Sequence, residues 1–235
     1  MILDINDSDL SLNLDNLKIE SKWCGLITYQ DSMTIQNSYK NDLMSGHGNG
    51  VLLGFENENV VTLGIRGDKQ SDLNWNFINS QSINDLPNIV SVNRGGQATL
   101  HNPGQLIIYP ILNLRHLDVS VRDFVCALQN ITVKVFSSLG VEATKGTAEP
   151  GVYTKLGKIA FFGIKVEHGV VSHGLSMNVS NDLSLFSMIV SCGIQNQRMD
   201  SLKNNGLHVS TKSVYQLWCH SFFEYLTQRS KAGTK

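Results

Sequence analysis

The chain has 235 residues, a net charge of −1 and an apolar fraction of 41% that leaves glycine out. Such a composition buries a sizeable core, and near-neutral charge leaves no electrostatic footprint for nucleic acid or a membrane surface. No apolar run approaches the roughly 20 residues of a membrane span, and an opening with no basic residue before Lys18 is the reverse of a secretory or mitochondrial leader. A soluble, cytoplasmic protein is expected. Cys24, Cys126, Cys192 and Cys219 form no CxxC pair and have no histidines at zinc spacing, so no metal is expected.

In chain order, residues 1–20 read as a flexible tail, in which the alternating Leu10, Leu12 and Leu14 could form a short edge strand. Residues 21–235 read as a single domain. Asp31 to about Leu43 carries a thin helical stripe (Ile35, Tyr39, Leu43). Val51–Phe55 and Val60–Leu63 read as a hairpin turning at Glu56–Asn59. Residues 68–87 read as irregular, and Ile89–Val92 as a strand. Leu106–Leu112 is a strand that Pro110 demotes to an edge or a bulge. Val121–Leu139 is a long helix that Gly140 stops. Val152–Tyr153, Lys158–Val166 and Val170–Val179 are strands, the last broken at Gly174. One helical turn follows at Ser184–Met188, and Ser213–Gln228 is a closing helix. More strands than helices, joined by hairpin-like connections, predict an α+β (mixed α/β) fold: a mixed or antiparallel sheet with helices packed against it.

Two stretches could carry chemistry. In Arg94-Gly95-Gly96-Gln97, a cation adjoins two glycines whose N–H groups could hold a carbonyl or phosphate. The same residues also fit a plain turn with a solvated arginine, and they match neither GxGxxG nor a Walker loop. Lys158 and Cys192 could form a pair in which the cation holds a thiolate, which suits acyl transfer through a thioester. They equally fit a surface lysine and a core cysteine that never meet.

The segments RGGQATLHNPGQ, PGVYTKLGKIA, VSHGLSMNVSNDLSLF and SCGI, in this order and spacing, resemble the lipoyl(octanoyl) transferase family. The resemblance covers roughly residues 24–200 and implies the biotin/lipoate protein ligase catalytic-domain fold, with mixed sheets and flanking helices. It implies transfer of an octanoyl group from acyl carrier protein to a lysine of a lipoyl domain, in 2-oxoacid dehydrogenase complexes or the glycine cleavage H protein. It assigns Cys192 as nucleophile and Lys158 as its activator. Substrate contacts would be Arg94, Gly95, Gly96, Gln97, Ala98, Thr99, Leu100 and His101, then Phe161, Phe162 and Gly163, then Gly174, Leu175 and Ser176. His173 and Gly193 would support them. Neither ATP nor a metal is implied, and no nucleic acid or membrane partner.

Several positions depart from the family pattern. Leu100 replaces a tyrosine and Asn102 a glycine, where asparagine still tolerates a left-handed backbone. Ser191 replaces a proline before the nucleophile, Asn57-Glu58-Asn59 replaces His-Pro-Pro, and Ser176 replaces a small apolar residue. Phe161-Phe162 replaces a small-then-aliphatic pair, so the Phe161 ring is expected to shorten or reshape an acyl tunnel. An ATP-dependent lipoate ligase, a lipoyl amidotransferase and a non-catalytic acyl- or lipoyl-domain-binding protein remain as alternatives on the same fold.

Overall fold

The computed structural model describes residues 10–14, 17–80, 86–147, 149–190 and 197–232. Its centre is an eight-stranded mixed sheet in the order β1-β2-β3-β7-β11-β10-β9-β8. These strands are β1 (Ser11–Leu14), β2 (Leu17–Ile27), β3 (Gly50–Asn57), β7 (Gln105–Ile111), β8 (Thr144–Lys145), β9 (Gly151–Tyr153), β10 (Lys158–Glu167) and β11 (Val170–Asn178). A second sheet of three strands runs β5-β4-β6, from β4 (Val60–Leu63), β5 (Asn88–Ser91) and β6 (Ala98–His101). Among the named strands, β2–β3 and β4–β5 pair in parallel and the other pairs are antiparallel.

Strands β3 and β7 are apolar on consecutive residues because the large sheet is covered on both faces. On one face Leu52, Leu106 and Ile108 pack with helices α3 (Val121–Ser138) and α4 (Thr211–Ala232). On the other, Val51, Leu53, Ile107 and Tyr109 pack with Leu43 of helix α1 (Tyr29–Met44). Helix α3 starts where Ser120 Oγ accepts from the Asp123 N–H (3.1 Å) and ends before Gly140, at φ +80°. It meets α4 through the Phe124–Phe222 edge contact and a Trp218 Nε1 bond to Thr132 Oγ1 (3.1 Å).

Five expectations need correction. The acidic opening is not all tail: β1 and β2 form a hairpin at the sheet edge, and Ile19 is fully buried. β3 and β4 are not a hairpin. Asn57 Nδ2 and the Glu58 N–H both donate to the Ile27 carbonyl (3.0 and 3.2 Å), which turns the chain out of one sheet and into the other. Residues 68–87 contain a short helix, α2 (Trp75–Asn79), capped by Asn74.

Pro110 lies inside a central strand, not an edge. It pairs with Leu52 on the β3 side. On the β11 side the register Ile108↔Leu175 resumes as Asn113↔Val170, which brings Pro110 opposite His173. There the ladder has a gap, so the missing N–H is not needed. His173 sits at φ +55° and turns its own N–H to Gln36 Oε1 of α1 (2.6 Å). Strand β11 therefore runs unbroken through Gly174. A Cβ there would come 2.0 Å from the Ile108 carbonyl oxygen, so only glycine allows the strands this close.

Candidate active site

The residues Arg94–Gln97 connect β5 to β6 and form a braced bracket. Arg94 Nη2 donates to the Thr62 carbonyl (2.8 Å) and the Gln97 carbonyl (2.9 Å), and Nη1 donates to the Gly95 carbonyl (2.9 Å). The N–H groups of Gly64, Ile65 and Arg66 take the carbonyls of Gln97, Arg94 and Gly96. Gly96 is at φ +91°, and a Cβ on Gly64 would meet its oxygen at 2.3 Å. Arg94 is thus the internal clamp of the loop rather than a solvated charge. Among the described residues nothing accepts the N–H of Gly96 or Gln97.

The bracket, β10 and β11 enclose a cavity of about 250 Å3. Its volume is just under the roughly 300–1,000 Å3 of common small-molecule pockets. Arg94, Gly95, Gly96, Gln97, Ala98, Thr99 and His101 line it from the loop and β6. Lys158, Phe161, Phe162 and Gly163 line it from β10, and His173, Gly174, Leu175 and Ser176 from β11. A larger hollow of about 980 Å3 beside α2 contains none of these residues.

Leu100 does not line the cavity. Its side chain is fully buried on the other face of β6, in a core with Val61 and Phe186. The Tyr-to-Leu departure therefore removes no hydrogen-bond donor from this site. Asn102 is not left-handed either; its amide donates to the Asp182 carbonyl (2.8 Å) and accepts from Asn181 Nδ2 (2.9 Å). Cys192, Gly193 and Ser191 lie outside the described residues.

Lys158 is 1% exposed, so it is not a surface lysine. Its Nζ stands 5.1 Å from the centroid of the Phe161 ring and 5.5 Å from that of Tyr153. The Phe161 ring stacks on Phe186 at 5.6 Å, as one wall of the cavity. The backbone of Lys158 holds the returning chain: its N–H donates to the Arg198 carbonyl and its carbonyl accepts from Asp200 N–H, both at 2.9 Å. On the other side, the Val190 N–H donates to the Asp72 carbonyl (2.8 Å), and Asp72 Oδ1 accepts from Gln97 Nε2 (3.4 Å). Both flanks of the segment 191–196 are therefore tied to residues of the cavity or beside it.

Two histidines share the cavity. Burial, helped by the charge of Arg94, pushes each imidazole down to about 4. The His173 ring packs edge-on against Tyr109 (5.6 Å). Tyr109 and Ile107 also line the cavity, and neither was singled out from sequence. The period-two alternation Gln105, Ile107, Tyr109 along β7 was the available signal. No group of three or more His, Cys, Asp or Glu placed to hold a metal occurs among the described residues, and no helix among them is long and apolar enough to cross a membrane.

The fold that brings the glycine bracket and the buried lysine to one cavity is that of the lipoate protein ligases. The family model "Lipoyl protein ligase A/B catalytic domain" matches residues 28–223, and the chain belongs to that family. An octanoyltransferase of Hahella chejuensis is 38% identical over 167 residues, 71% of this chain and 70% of that one. An octanoyltransferase of Maridesulfovibrio salexigens is 29% identical over 212 residues, 89% of this chain and 97% of that one. Among solved structures, lipoate-protein ligase A bound with ATP superposes with a TM-score of 0.66 at 14% identity, covering 89% of this chain and 85% of that one. The bi-partite lipoate protein ligase of Thermoplasma acidophilum gives 0.64 at 15% identity, covering 88% and 84%. These structural likenesses establish the fold.

Proposed function

We propose that this chain is an octanoyltransferase that moves an octanoyl group from acyl carrier protein to a lysine of a lipoyl domain. The acceptors would be the lipoyl domains of 2-oxoacid dehydrogenase complexes or the glycine cleavage H protein, and the setting the cytoplasm, where thiols stay reduced. The observation that carries the reading is Lys158: buried, in the cavity of the glycine bracket, and bonded through its backbone to the chain that returns from Cys192.

In this mechanism the Cys192 thiolate attacks the thioester carbonyl. The N–H groups of Gly96 and Gln97 are the candidate donors to the oxyanion. The carrier sulfur leaves with the bonding pair and takes a proton from the Lys158 ammonium. The acceptor amine then attacks the octanoyl-Cys192 thioester. A C–N bond forms, the C–S bond breaks, and the amine's proton passes to Lys158, which restores the starting pair. A thioester is already activated relative to the amide it becomes, so the reading needs neither ATP nor a metal.

Intact-protein mass spectrometry tests this. The protein is mixed with octanoyl–acyl carrier protein without ATP, then with a lipoyl domain. The expected result is one octanoyl mass, removed by hydroxylamine, absent in Cys192→Ser and passed to the acceptor. No adduct in the wild type, with modification appearing only on addition of ATP and free lipoate, would refute it in favour of a ligase.

A further inference from the structure

Behind β6 lies a chain of side-chain amides anchored on backbone carbonyls. Asn178 Nδ2 donates to the Asp200 carbonyl (2.9 Å), so its Oδ1 is the atom that accepts from Gln105 Nε2 (2.9 Å). Gln105 Nε2 also donates to the Leu100 carbonyl (3.3 Å), which turns Gln105 Oε1 toward His101 Nδ1 at 2.6 Å. A carbonyl only accepts, so both amides are oriented from their far ends. Gln105 Oε1 in turn requires an N–H, which puts the His101 proton on Nδ1 and leaves Nε2 a bare lone pair.

His101 lines the cavity, and among the described residues nothing hydrogen-bonds its Nε2. Two residues back on the same face of β6, Thr99 also lines the cavity, with a buried hydroxyl that has no partner among the described residues. Once Lys158 has given its proton to the carrier sulfur, the charged side chains that line the cavity are Arg66, Arg94 and Glu149, two cations against one carboxylate. That lining disfavours an ammonium and suits a neutral amine, whose N–H bonds still need an acceptor.

We propose that Nε2 of His101 accepts a hydrogen bond from the ε-amino group of the acceptor lysine and aims the amine lone pair at the acyl carbonyl. The proposal rests on the octanoyl-transfer reading and adds a catalytic residue to its second half. His101 takes no proton: the amine proton goes to Lys158, and the imidazole leaves the step as it entered. The same Asp200 whose carbonyl anchors the amide chain donates its N–H to the Lys158 carbonyl, so the two residues are set by one scaffold.

Two measurements test this. Nitrogen NMR of 15N-histidine-labelled protein near pH 7 should show His101 protonated on Nδ1, and an Nε2–H tautomer overturns the proposal. In His101→Asn, the amide can keep an N–H for Gln105 but places no acceptor where Nε2 was. Octanoyl-loaded wild type and variant are discharged with a lipoyl domain or with hydroxylamine, a small nucleophile that needs no positioning, and followed by mass. Lysine transfer should slow by roughly tenfold or more while hydroxylamine discharge stays within about twofold. Unchanged lysine transfer, or equal slowing of both, overturns the proposal. A wild type that never loads an acyl group would instead bring down the octanoyl-transfer reading, and this proposal with it.

Discussion

Phe161→Ala should lengthen the preferred acyl chain. The ring is 7% exposed, stacks on Phe186 and forms a wall of the cavity, so its removal opens space continuous with that cavity. Each methylene that fills such space contributes about 0.8 kcal/mol. Two additional methylenes therefore raise the decanoyl-to-octanoyl ratio of kcat/KM by about 1.6 kcal/mol, or roughly tenfold. The ring also lies 5.1 Å from Lys158 Nζ, so the absolute rate should fall for every chain length, and only the ratio is diagnostic. The stability cost should be about 3 kcal/mol, at the low end for Phe→Ala because one side of the ring already faces a cavity. Loading from carrier-bound hexanoyl, octanoyl, decanoyl and dodecanoyl groups, with thermal unfolding in parallel, measures both. An octanoyl optimum unchanged by the substitution would refute the reasoning.

The two buried histidines make stability depend on pH. Their folded pKa values lie near 4, below the usual 6.5, so the unfolded chain binds protons first as pH falls. Their contribution is complete above about pH 6.5 and is lost on the way down to about 4, a loss of about 3 kcal/mol for each. Glu167, held at about 2 by Lys165 and Lys40, adds its own loss as pH falls from about 4.5 to about 2. Urea midpoints between pH 7.5 and 5 isolate the histidines, and a flat series would refute their burial as neutral bases. Gly174→Ala should unfold the centre of the large sheet, because its Cβ meets the Ile108 oxygen at 2.0 Å. Circular dichroism on the purified variant should show a melting temperature lowered by several degrees or no folded protein; an unchanged melt would mean the strands can part without cost.

The segments with strong local periodicity were legible in the sequence. The α3 stripe and its glycine stop appear within about two residues of their predicted places, as does β10. What was not legible was set by partners distant in the chain. β3 leaves β4 because Ile27, on β2, captures Asn57 and Glu58. Pro110 is central because the strand opposite happens to open at His173. In the site, the loop, Lys158 and the His-Gly segment could be picked out by type and order. That Arg94 points inward to Thr62, and that Leu100 faces away from its neighbours Thr99 and His101, depends on strand phase and on β4, which short motifs do not carry.

The gap opposite Pro110 has a consequence for how variants of this protein will read in assays. Helix α1 contributes no side chain to the cavity, yet Gln36 on it supplies the acceptor for the His173 amide, and Gln36 is fully buried. A cavity residue thus takes its backbone restraint from a helix that does not line the cavity. Harmful changes at Gln36 should therefore present as defects of turnover, in a part of the chain where a survey of motifs would record only scaffold.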